Sequence, residues 1–140
     1  MTGFETSRTV EWGDCDAAGI IFYPNFYRFM DGHFHAFTAS LGFDQRRLLS
    51  EFDILGMPLR QAGCTFHAAT SFGDVLSINS RLVSLGETSL KLTYNFLRDG
   101  VPIADGFEVR VSVSADSGAL AKAQIPLEIR ALLDPHKVAG

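Results

Sequence analysis

Cysteine is scarce in this chain: Cys15 and Cys64 are the only two among 140 residues. One pair cannot make the disulfide framework of a small secreted domain, so a reducing, cytoplasmic setting is the simpler expectation. Neither Cys-x-x-Cys nor His-x-x-x-His occurs, and four scattered histidines give no ligand spacing for a metal. Basic charge is also short, with 12 Lys+Arg against 16 Asp+Glu for a net −4. Without a basic stripe to neutralise a phosphate backbone, a nucleic-acid partner is excluded. There is no run of about 18 apolar residues, so no membrane span is expected. Glu5, Arg8, Glu11, Asp14 and Asp16 break up the apolar core that an N-terminal secretory signal needs. Gly-x-Ser-x-Gly is missing, which removes the nucleophile-elbow hydrolases. No linker, internal repeat or low-complexity stretch divides the chain.

What is present is a globular composition, 46% hydrophobic and 20% charged, which predicts a single domain over residues 1–140. Residues 8–12 read as a short strand, followed by a Gly/Asp-rich turn at 13–16. From Pro24 the period becomes helical: Phe26, Met30, Phe34, Phe37 and Leu41 fall on one face. Pro24 suits a first helical turn and Gly42 a stop. A short helix is expected over 45–52. Beyond Met57 the period drops to two. Ala62, Cys64, Phe66 and Ala68 form one apolar face; Leu76, Ile78 and Leu82 another; Leu90, Leu92, Tyr94 and Phe96 a third. In the last long strand Ile103, Phe107, Val109, Val111 and Val113 are expected inside, with Ala104, Glu108, Arg110 and Ser112 on the wetter side. Asp99-Gly100 is a strong hairpin dipeptide, Asp116-Ser117-Gly118 ends the last long strand, and Pro126 opens a terminal helix over 126–133. The order predicts an α+β fold, a five-stranded antiparallel sheet wrapped around one long aromatic helix. The strand from Ile103 to Val113 is the expected edge through which two copies pair.

Asp14-Cys15-Asp16, held between Gly13 and Gly19, is the densest polar cluster. Asp and Gly there also make ordinary turns. The functional reading rests on position, because the loop leads into a helix N-terminus, where N–H groups lack partners and the dipole favours negative charge. If Pro24 is the first helical residue, the boundary residue is Tyr23, which has no short capping oxygen; Asn25 is the alternative cap. A carboxylate facing such donors is the minimum for acyl transfer. Cys15 could act as a nucleophile, but no histidine is near it in sequence, and a small packed residue is the plainer reading.

The stretch Trp12-Gly13-Asp14-Cys15-Asp16-Ala17-Ala18-Gly19-Ile20-Ile21-Phe22-Tyr23-Pro24-Asn25-Phe26-Tyr27 resembles the signature of hotdog-fold acyl-CoA thioesterases, most of all the 4-hydroxybenzoyl-CoA thioesterase branch. The resemblance implies that Asp16 is the catalytic carboxylate and that the Tyr23 N–H polarises the thioester carbonyl. It places Asp31 on the helix lining the acyl pocket. Gly19, Tyr27, Asp31 and His35 form the expected substrate-binding set. It further implies a cofactor-free, metal-free enzyme acting on an acyl-CoA, with sites between the subunits of a homodimer or homotetramer. Gly86-Glu87-Thr88 departs from the branch, which has a basic run there for the CoA phosphates. Arg60, Arg81, Lys91, Arg98, Arg110 and Lys122 are the remaining candidates for that contact. An aliphatic acyl-CoA, an acyl-carrier protein, or acyl-CoA binding without turnover are the alternatives.

Overall fold

The computed structural model describes residues 3–116 and 118–139. The main sheet contains β1 (Phe4–Thr9), β2 (Leu59–Phe66), β3 (Val75–Leu85), β4 (Ser89–Arg98) and β5 (Val101–Val111), with α1 (Pro24–Ser40) and α2 (Gln45–Phe52) between β1 and β2. A small hairpin of β6 (Val113–Asp116) and β7 (Ala119–Lys122) and helix α3 (Leu127–Leu133) complete the chain. The sheet order is β1-β3-β4-β5-β2, with all neighbours antiparallel. The first strand starts four residues before the expected 8–12 span, and Trp12–Asp14 is instead a turn of 3-10 helix. Ser117 lies outside the described residues.

Helix α1 begins at Pro24, and Gly42, two residues past its last turn, takes φ +97°, a left-handed value that stops it. Its buried face is Phe26, Phe29, Met30, His33, Phe34 and Phe37, laid across the sheet. The approach is closest at Gly106 of β5, where a Cβ would sit 2.5 Å from the Met30 sulfur. Each such phenylalanine removed from water contributes about 1.5–3 kcal/mol. Asp99 (φ +50°) and Gly100 (φ +78°) make the tight hairpin between β4 and β5 that their sequence predicts.

Two expectations about β5 are overturned. It is no edge strand: β4 pairs on one side and β2 on the other, leaving β1 and β2 as the edges. Its facing is also inverted between Ala104 and Arg110, whereas Ile103 and Val111 are buried as expected. Glu108 and Arg110 are buried, whereas Phe107 and Val109 are only half-buried. Register is the cause. Tyr94 pairs with Gly106, Leu92 with Glu108 and Leu90 with Arg110. Paired residues share a face, so the apolar inner face of β4 carries Gly106, Glu108 and Arg110 inward with it. Phe107 points outward and lies across Gly63, where a Cβ would come within 2.4 Å of the ring.

Candidate active site

The loop from Val10 to Tyr23 is folded by its own polar groups. Asp14 is buried, and its carboxylate accepts from the Glu11 N–H (2.8 Å) and from Arg28 Nη2 (2.6 Å). Arg8 reaches the same carboxylate at 3.4 Å while its guanidinium lies 4.1 Å above the Phe29 ring. The Asp14 carbonyl accepts from the Phe22 N–H (2.9 Å) and from Asn25 Nδ2 (2.8 Å). Asn25 therefore clamps the loop to the helix and does not cap it. Trp12, 74% exposed, meets Phe72 edge-on with ring centroids 5.6 Å apart.

Asp16 is exposed and differently employed. Its Oδ1 accepts from the Ala18 N–H (2.9 Å), an ordinary Asx turn, and its Oδ2 is unbonded among the described residues. Gly19 closes that turn, donating to the Asp16 carbonyl (2.9 Å) at φ +82°. A Cβ at Gly19 would touch nothing within 4 Å, so its role lies in the backbone conformation and not in a close approach. The Cys15 Sγ donates to the Glu11 carbonyl at 3.7 Å and is half-buried.

Tyr23 is the N-cap residue of α1 and supplies no side-chain cap. Asn25 N–H bonds Phe22 and Phe26 N–H bonds Tyr23, while the Tyr23 N–H has no partner among the described residues. Pro24 has no N–H to compete. Against this donor lies an apolar cavity of about 420 Å³ between Ile20 and Tyr23 of the loop, Phe26 of α1, and the segment from Phe66 to Thr70. An unpaired N–H at the positive end of a helix, beside an apolar hollow, can hold a carbonyl oxygen as it gains charge. Asp16 and Gly19 share this loop but do not line the cavity.

Tyr27, Asp31 and His35 follow on successive turns of α1, also outside the cavity lining. Asp31 is half-exposed. Its Oδ1 accepts from Arg110 Nη2 at 2.9 Å and lies 3.6 Å from His35 Nε2. Arg110 is thus no surface partner for a phosphate: it is 3% exposed and bound to Glu108, itself buried. Tyr94 Oη donates to Glu108 Oε1 at 2.6 Å, and burial followed by the Glu108 charge pushes the phenol well above its ordinary range. Burial works against the Arg110 charge, but the Glu108 and Asp31 bonds more than offset it and its pKa is raised. Sequence alternation assigned Glu108 and Arg110 to the outside, so this cluster was missed. Its signal was a Glu-x-Arg pair on a strand whose neighbour offers a tyrosine at the same depth. Of the remaining cationic candidates, Arg98 touches the cavity wall, donating to the Ala69 carbonyl at 3.0 Å.

A family model described as the thioesterase-like superfamily matches residues 10–133. The chain belongs to that superfamily. The 4-hydroxybenzoyl-CoA thioesterase of Pseudomonas sp. (strain CBS-3) is 26% identical over 125 residues, covering 85% of this chain and 89% of that protein. The solved structure of that enzyme superposes with a TM-score of 0.87 at 25% identity, covering 94% of this chain and 99% of the other. A gentisyl-coenzyme A thioesterase structure gives a TM-score of 0.81 at 36% identity over 92% of this chain and 98% of its own. A 1,4-dihydroxy-2-naphthoyl-CoA hydrolase of Synechococcus elongatus is 22% identical over 117 residues, covering 84% and 86% of the two chains. The protein is an acyl-CoA thioesterase by this membership, as its loop motif anticipates. No helix of this thioesterase among the described residues is long and apolar enough to cross a membrane.

Proposed function

We propose that this thioesterase hydrolyses an aromatic acyl-CoA carrying a ring hydroxyl, releasing the free acid and CoA. Asp16 is the catalytic carboxylate and the Tyr23 N–H the oxyanion donor. The observation that carries the assignment is the contrast between the two loop carboxylates. Asp14 is buried and its charge is met by Arg28, whereas among the described residues Asp16 keeps an unbonded oxygen in the loop that delivers the unpaired Tyr23 N–H. Two routes suit this pair. As base, Asp16 takes a proton from water while the water oxygen attacks the carbonyl carbon. As nucleophile, its oxygen forms a mixed anhydride that water then cleaves. In both, the C–S bond breaks, CoA leaves as thiolate, and the N–H holds the carbonyl oxygen.

The acyl group is read from the aromatic wall of α1 and from relatives named for 4-hydroxybenzoyl, gentisyl and 1,4-dihydroxy-2-naphthoyl thioesters. A polar ring substituent needs an acceptor, and Asp31 is the carboxylate assigned to it. In one chain Asp31 does not line the Tyr23 cavity, and a dimer through β2, an edge strand, is the arrangement proposed to supply it. Phe26 at the start of α1 packs on Phe66 at the end of β2, with centroids 5.1 Å apart. Asp31 instead reaches Arg110, which bonds the Met57 carbonyl just before β2 begins. Pairing β2 antiparallel with its copy lays the Leu59 end of one strand beside the Phe66 end of the other. Such pairing is expected to carry Asp31 of the partner subunit towards the cavity at Tyr23. In this reading residues 1–140 act as one domain, with the sheet curled about α1 in the hotdog arrangement.

The test is thiol release from 4-hydroxybenzoyl-, benzoyl-, phenylacetyl-, short aliphatic and long aliphatic CoA thioesters. The expected result is the highest kcat/KM on the hydroxylated aryl substrate. An aliphatic thioester turned over best overturns the acyl assignment, and no turnover of any overturns the catalytic one.

A further inference from the structure

The Asp31 carboxylate is held by a cation that has no surface to work on. Arg110 points inward from β5 under the middle of α1, and every direction of its guanidinium is constrained. Nε donates to Glu108 Oε1 (3.0 Å), Nη2 to Glu108 Oε2 (2.9 Å), and Nη1 to the Met57 carbonyl (3.0 Å). The plane lies 4.0 Å from the Phe34 ring centroid. Glu108 is fixed from its other side by Tyr94. What remains of Nη2 is directed at Asp31 Oδ1, at 2.9 Å. A bidentate Arg–Glu pair is already neutral, so the bond to Asp31 is not needed to balance Arg110. It takes a side chain on a half-exposed helix flank, with free rotamers of its own, and ties one oxygen to the protein interior.

We propose that Arg110, locked by Glu108, is a positioning residue for substrate choice: it pins Asp31 Oδ1 so that Oδ2 is presented at one fixed place to a hydroxyl donor on the acyl group. Among the described residues Oδ2 makes no bond, so it is the oxygen left for a ligand. The inference rests on the hydroxyl-aryl reading above and adds the part that makes the acceptor rigid. A loose carboxylate accepts a hydroxyl with an ordering cost that a fixed one does not have.

The experiment measures the ratio of kcat/KM for 4-hydroxybenzoyl-CoA to that for benzoyl-CoA. Arg110→Met is expected to lower the ratio by about tenfold or more, since a site built to bond a hydroxyl discriminates strongly and a loosened one does not. Arg110→Lys, which keeps the charge with one donor direction, is expected to recover part of it. In an Asp31→Ala background Arg110→Met is expected to change the ratio no further, which a general loss of packing would not reproduce. Since Arg110→Met leaves Glu108 buried without its partner, Arg110→Met/Glu108→Leu is assayed beside it and is expected to show the same loss. A wild-type ratio in both Arg110 variants, with Asp31→Ala alone abolishing the preference, overturns the proposal and leaves the substrate reading standing. An equal fall with and without Asp31 overturns it too. A ratio near one in the wild type removes the hydroxyl reading itself, and this inference with it.

Discussion

The loop ahead of α1 and the interior beneath its middle both hold carboxylates, under opposite constraints. In the loop, Asp14 is buried by its neighbours and Asp16 is left exposed with an oxygen unused. In the interior, Glu108 is buried and saturated while Asp31, its neighbour through Arg110, reaches half into solvent. Each region thus pairs a sequestered acid with an available one. In the proposed reading the sequestered acid organises the site, and the available one meets substrate. The loop holds its acid by turns and backbone N–H groups, which can adjust. The interior holds its acid by a guanidinium wedged between strand and helix, which cannot.

Breaking the interior pair is expected to have the largest effect. Arg110→Met alone should cost roughly 3–5 kcal/mol of stability in urea unfolding, because it strands a buried carboxylate, whereas Arg110→Met/Glu108→Leu should cost far less. If both variants lose equally, the interior is held by shape and not by charge. In the loop, Asp16→Asn is expected to lower kcat by at least about 100-fold with unfolding unchanged. Asp14→Asn should do the reverse, costing about 1–2 kcal/mol of stability and moving kcat less. Steady-state kinetics beside thermal melts separate the two, and an Asp16→Asn enzyme with near-full turnover breaks the comparison outright.

A finer probe is His33, buried between Thr6 Oγ1 (2.6 Å) and Ser80 Oγ (2.7 Å). Burial lowers its pKa from 6.5 to about 4. The unfolded chain therefore binds the proton first as pH falls. Stability from this group is whole above about 6.5 and drains away as pH drops towards 4. The loss is of order 3 kcal/mol, and His33→Gln should flatten that limb of the pH–stability curve. The smallest change is expected from Cys15→Ser. With its sulfur bonded, among the described residues, to the Glu11 carbonyl alone, most activity should remain. Complete loss with normal circular dichroism would transfer the chemistry from Asp16 to a thiol.

Local signals were readable wherever local forces decide. Proline at the start of α1 and glycine after its end bound the helix, and the uncapped Tyr23 follows from its neighbours alone. The Asp99-Gly100 hairpin requires positive φ at both residues, and the dipeptide says so. β5 was misread because alternation reports only which residues differ, not which set faces in. There the decision belongs to register with β4 and to bonds linking Tyr94, Glu108, Arg110 and Asp31 across 14 and 79 residues of sequence. The resemblance already separated Asp16 from Asp14; what sequence could not show is that Arg28, one turn into the helix, meets the Asp14 charge.

The chain has a single tryptophan, Trp12, and the fold places it on the loop ahead of α1 and not in the core. Its indole is already largely in water, so global unfolding should scarcely shift its emission, while any ligand that closes over the loop should blue-shift or quench it. Trp12 is thus expected to serve as an optical reporter, little moved by denaturation and moved by a ligand that covers the loop. Titration with a non-hydrolysable acyl-CoA analogue would read binding directly, with no label added.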